Sequence, residues 1–60
     1  DSRSSAEVYN NLARTKQKSG NVAGAVESAR ESVRIYTKLG INDKHSQAAA
    51  NLSRKLEGGE

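Results

Sequence analysis

The chain has no cysteine, proline, methionine, phenylalanine or tryptophan, and its aromatic rings are those of Tyr9 and Tyr36. Without cysteine, neither a disulfide nor a thiolate metal site can staple so short a chain, and the compartment is left open because absent thiols exclude no location. Without proline, no helix is obliged to kink or stop, and no alternation of apolar and polar residues over four positions competes with a helical reading. Long apolar runs are missing too. A secretory core needs about 7–15 uninterrupted apolar residues and a spanning helix about 20, so membrane insertion is not expected. Apolar residues make up 33% of the 60 positions, and mean hydropathy is −0.85. A domain of this size buries only about 60% of its unfolded surface. A thick core is therefore out of reach, and helix-on-helix contacts through Ala, Val and Leu must hold the fold.

Charge is mixed rather than one-sided. Ten Lys and Arg stand against seven Asp and Glu, a net charge of +3. Glu27, Arg30, Glu31 and Arg34 alternate at spacings that pair on a helix, which describes a solvated face. The local basic cluster is Arg14, Lys16 and Lys18, and helical geometry puts Arg14 and Lys18 on one side with Lys16 elsewhere. A nucleic-acid reading through Arg14, Lys18, Arg30, Arg34 and Lys38 is accordingly the least favoured.

Catalytic chemistry finds no foothold. His45 is the one histidine, and beside Asp43 near a helix start it suits a cap better than a metal site, which needs further ligands. Residues 20–24 carry two glycines, but a phosphate loop needs a preceding strand and a Lys-Ser/Thr ending. The many serines suit caps and helix packing, and none sits in a nucleophile elbow. No enzyme activity, cofactor or metal is expected.

What the chain does have is a repeat. Asn11-Leu12-Ala13-Arg14 returns forty residues later as Asn51-Leu52-Ser53-Arg54, and Ser5-Ala6-Glu7-Val8 is answered by His45-Ser46-Gln47-Ala48. Self-similarity at a period of about 20–50 residues marks stacked helical units that bury their apolar faces only against neighbours.

Three helices are predicted, over residues 5–18, 22–39 and 44–57. Ser4 and Glu7 have capping-box spacing at the first start, and Val8, Tyr9, Leu12 and Ala13 form its apolar stripe. Ser19-Gly20 ends it, with Lys16 and Lys18 at the negative end of the dipole. Asn21 caps the second helix, whose stripe is Val22, Ala25, Val26, Ala29, Val33, Tyr36 and Leu39. Gly24 costs that helix about 1 kcal/mol relative to Ala, which close approach of two backbones would explain. Gly40 ends it, Asn42 or Asp43 caps the third helix, and Ala48, Ala49, Leu52 and Leu56 form the last buried side. Connections this short make neighbouring helices antiparallel. The first four residues and the Glu-Gly-Gly-Glu end are expected to fray. The fold class is all-α: an antiparallel helical hairpin plus a third helix, in one domain.

From about Ala6 to Leu56 the chain resembles the tetratricopeptide repeat family. Tyr9 falls where that family has a large aromatic, Leu12 and Ala13 at its leucine and small residue, Gly20 at its inter-helix glycine, Ala25 at its alanine and Ser32 at a further small position. The run Asn10-Asn11-Leu12-Ala13, the long second helix ending in Tyr36-Thr37-Lys38-Leu39-Gly40, and the later Ala-Asn-Leu are most similar to the variant of kinesin light chains. Lys16 and Ala29 stand where the family has bulkier aromatics, so the first two helices should pack close together; Thr37 replaces a common proline.

The resemblance implies about one and a half units of a longer array and a protein–protein interaction module, whose first helices present Asn and Arg side chains in a groove to a peptide of a partner. The positions that match are Glu7, Asn10, Asn11, Arg14 and Gln17 on the first helix, and Gln47, Asn51 and Arg54 on the third. An Asn amide offers both donor and acceptor to a peptide backbone, and Arg adds a charge-assisted bond to a carboxylate, so acidic peptides are the first candidates. The alternative is a structural element that self-associates through an uncovered helix face. Bland roles compete for Asn11 and Asn51, which can also bond neighbouring helices.

Overall fold

In the computed structural model, residues 2–58 are described, and they form three helices with no strand among them. They are α1 (Arg3–Lys18), α2 (Val22–Leu39) and α3 (Lys44–Glu57). Two of the boundaries follow from local capping chemistry. The Asn21 side chain accepts from the Gly24 N–H at 3.0 Å, and Gly40 closes α2 at φ 71, a left-handed conformation that glycine adopts without a Cβ clash. The start of α1 departs from expectation. Ser2, not Ser4, is the cap, accepting from the Ser5 N–H at 3.2 Å, so Arg3 and Ser4 are helical rather than frayed. At the other end Gly58 caps α3 at φ −77; the expected fraying of Asp1, Gly59 and Glu60 lies outside the described residues.

α2 runs antiparallel to both neighbours. Ser32 in its second half donates to the Ala6 carbonyl near the beginning of α1 at 2.8 Å, and Arg30 in its first half meets Glu57 at the end of α3 at 2.7 Å. α1 and α3 therefore point the same way, and Arg3 ties their starts together through a 2.6 Å ion pair to Asp43. The described helices fit within extents of 30 × 18 × 15 Å. A cluster of Ala6, Ile35, Tyr36 and Ala49, with Val33 and Ile41 packed against it, joins all three helices.

The buried faces are rotated from those read by hydrophobicity. On α1 the buried residues are Ala6, Asn10 and Ala13, whereas Val8 is 61% and Leu12 38% exposed. On α2 the interior holds Ala25, Ser28, Ala29, Ser32, Ile35 and Tyr36, while Val22 and Leu39 are exposed. On α3 Ala49 and Ser53 are buried, and Ala48, Leu52 and Leu56 are only half-buried. Small side chains let the helix axes approach, and close approach satisfies more backbone and side-chain contact than one bulky stripe could. Gly24 belongs to the same economy of space, though not through two backbones. A Cβ there would lie 2.5 Å from Asn21 Nδ2 and 3.0 Å from Lys16 Cδ, so the glycine makes room for the cap and for a lysine stem of α1.

Candidate functional site

Residues three and four apart share a helix side, and Glu7, Asn10, Asn11 and Arg14 do so on α1. Together with His45 from α3 they line a depression of about 220 Å³. His45 reaches it because the start of α3 is held firmly. Asp43 accepts from the backbone N–H groups of His45 and Ser46, each at 3.0 Å, while the Asp43 N–H donates to Ser46 Oγ at 2.9 Å. These reciprocal bonds are a capping box. Arg3 adds the link across helices, donating to Asp43 and, at 3.4 Å, to Glu7. The Asp43 carboxyl is held below its ordinary range, first by the Ser46 N–H and then by the Arg3 guanidinium, against the opposing effect of desolvation.

Asn10 forms the floor. Its neighbours in the depression are exposed, but Asn10 is only 5% exposed, and its Oδ1 is buried with no hydrogen-bond partner. An orphaned buried acceptor costs about 1–3 kcal/mol. Expected among exposed groove side chains, Asn10 is instead an interior residue of α1. The pocket holds one carboxylate and one guanidinium, and so offers donors and acceptors together.

The other expected side chains are placed differently. Asn51 and Arg54 share a second depression, of about 370 Å³, with Lys55 and Gly58. Gln47 lines a trough between α2 and α3. Gln17 is half-buried near the end of α1. Asn11 and Asn51 are thus both exposed on helices that run in the same direction, but they line separate depressions that share no residue. His45 and Lys55 were not among the expected groove residues. The forty-residue repeat does pair Lys55 with Thr15, yet nothing in that pairing marks a basic contact; His45 follows only from the three-dimensional meeting of two helix starts.

Ion pairs engage several of the other charges. Arg34 pairs with Glu31 one turn away, as the spacing anticipates, whereas Arg30 leaves its own helix for Glu57. The Glu57 carboxyl is lowered first by Arg30 and then by the Ser53 hydroxyl. Tyr36 is 2% exposed and its hydroxyl has no partner; burial, followed by the charges of Glu7 and Asp43, pushes its phenol up. Among the described residues no group of three or more His, Asp or Glu could hold a metal ion, and no helix is long and apolar enough to cross a membrane. No family model, curated protein or solved structure matches the chain.

Proposed function

We propose that this chain is a non-enzymatic protein–protein interaction module of the tetratricopeptide-repeat kind, which holds a peptide of a partner along the side shared by α1 and α3. The observation that carries the reading is the single depression lined together by Glu7, Asn10, Asn11 and Arg14 of α1 and His45 of α3. The exposed Asn11 amide and Glu7 accept from peptide N–H groups, and Arg14 donates to a carbonyl or carboxylate. The separate depression with Asn51, Arg54 and Lys55 carries positive charge without a carboxylate among its lining residues, which keeps acidic peptides as the first candidates.

A peptide array probed with the full chain tests this. Asn11→Ala and Arg14→Ala, both on exposed positions, should each weaken capture about tenfold, the loss of one good polar contact. Equal capture by wild type and both variants would return these side chains to a structural role. A second reading, self-association, is favoured by Val8 at 61% exposure beside half-exposed Leu12, an apolar face on the outside of a very small molecule.

A further inference from the structure

Arg3 stands in the first turn of α1, where no acidic residue accompanies it. A cation there opposes the positive end of the helix dipole. Its contact with Glu7, four residues on, has the cation N-terminal to the carboxylate, the weaker of the two orders on a helix. Arg3 therefore does little for α1 by itself. Its short bond leaves the helix: a terminal guanidinium nitrogen donates to Asp43 Oδ2 at 2.6 Å, while Nε faces Glu7 at 3.4 Å. The other oxygen of Asp43 accepts from the His45 and Ser46 N–H groups. One carboxylate is thus gripped from α1 through one oxygen and holds the start of α3 through the other. The depression lined by both helices needs such a link, because α1 and α3 each pack along α2 but scarcely touch each other. Glu7, Asn10, Asn11 and Arg14 are carried by α1, whereas His45 enters from α3, whose buried residues are Ala49 and Ser53. Side chains this short give little grip against rotation of α3 about its own axis.

We propose that Arg3 is a positioning residue of the peptide site: by clasping Asp43 while touching Glu7 it sets His45 against the α1 wall, without lining the depression itself. The guanidinium suits this task because its planar fork offers separate N–H groups to two carboxylates at once, which the point charge of a lysine does less well. Arg3 and Asp43 keep 49% and 35% of their side-chain surface exposed. An ion pair so open to water contributes little to stability, so its effect falls on where His45 stands. The consequence for capture rests on the peptide reading of the depression; the placement of His45 does not.

The test compares the full chain with Arg3→Gln, Asp43→Asn and the double variant by NMR near pH 7, at a temperature where all are folded. Asparagine is itself a good N-cap, so Asp43→Asn takes the charge from the clasp and leaves α3 capped. In the parent, nuclear Overhauser contacts should join the His45 ring to the side chains of Glu7, Asn11 or Arg14. They should fall at least about threefold in each single variant and no further in the double, because both changes break one link. Contacts between Tyr36 and Ala49 in the central cluster should persist. Capture of the array peptides should weaken about tenfold in each single variant and no more in the double. His45 contacts that are missing from the parent, or undiminished in Arg3→Gln, overturn the proposal, as does a double variant whose loss is the sum of the two single losses. A merely stabilising Arg3 would lower the melting temperature with the His45 contacts intact, which also overturns it. If the parent captures no peptide while the His45 contacts still depend on Arg3, the positioning stands and the peptide reading falls.

Discussion

Ser32 shows how a helix pair built from small residues tolerates a polar atom in its interior. The side chain is fully buried, and its hydroxyl donates to the Ala6 carbonyl at 2.8 Å, so removing the hydroxyl takes away a bond without opening a large cavity. Ser32→Ala should therefore lower stability by about 1 kcal/mol, read from urea denaturation. Tyr36 presents the opposite case. Its hydroxyl is buried without a partner, so Tyr36→Phe removes a desolvated group and should raise stability by up to about 1 kcal/mol. The pH dependence separates this from a packing effect. Because burial raises the phenol above its ordinary value of 10.0, the contribution is fully present below about pH 10 and is lost as pH rises through the folded value. The phenylalanine variant should keep its stability in that alkaline range where the parent loses it; identical alkaline transitions would show that Tyr36 ionises freely.

At the scale of the helix, the caps are where single residues decide an element. Asn21→Ala should cost α2 about 1 kcal/mol. Gly24→Ala would ordinarily gain about as much from helix propensity, but here the new Cβ would crowd the Asn21 amide. The gain should thus be absent in the parent and appear in the Asn21→Ala background, a non-additivity that a double-mutant cycle of melting curves measures. The cap of α3 brings a pH dependence of the other sign. The folded Asp43 carboxyl titrates below its unfolded value, so its stabilisation is present above about pH 4 and disappears as pH falls through the folded value. Asp43→Asn should melt lower than the parent near pH 7, and the two curves should converge in strong acid. Such local signals are why the bounds of α2 and α3 were legible from residues alone: Asn21, Gly40 and Asp43 each act within one turn. The beginning of α1 was less legible because Ser2 and Ser4 are chemically alike, and the difference lies in Arg3, whose partner Asp43 is distant in sequence. The buried faces were misread for a related reason. Periodicity weights Val8 and Leu12 by hydrophobicity, whereas the contact with α2 selects residues by size and admits Ala6, Asn10 and Ala13. The polar positions of the α1 depression could be named from the family resemblance, but the arrival of His45 depends on how α1 and α3 meet.

Among the described residues α2 is the helix that packs extensively against both of the others. The molecule's central cluster of Ala6, Ile35, Tyr36 and Ala49 is slight for 60 residues, and chains of this size sit close to the limit of independent stability. The uncovered side of α1 then matters energetically, because Val8 and Leu12 expose apolar surface that a second copy could cover. Whatever binds the folded state alone stabilises it by mass action, so self-association predicts a melting temperature that rises with protein concentration. Val8→Ser combined with Leu12→Ser should abolish that dependence, with a lower dilute-limit melting temperature because Leu12, 38% exposed, keeps most of its surface covered. The same pair of substitutions leaves Asn11 and Arg14 in place on the adjacent side of the helix, so peptide capture should survive. Sedimentation and melting over a hundredfold range of concentration decide between the two surfaces: a parent chain that is monomeric and equally stable at every dilution removes the apolar face as an assembly element and leaves the polar side of α1 as the one with work to do.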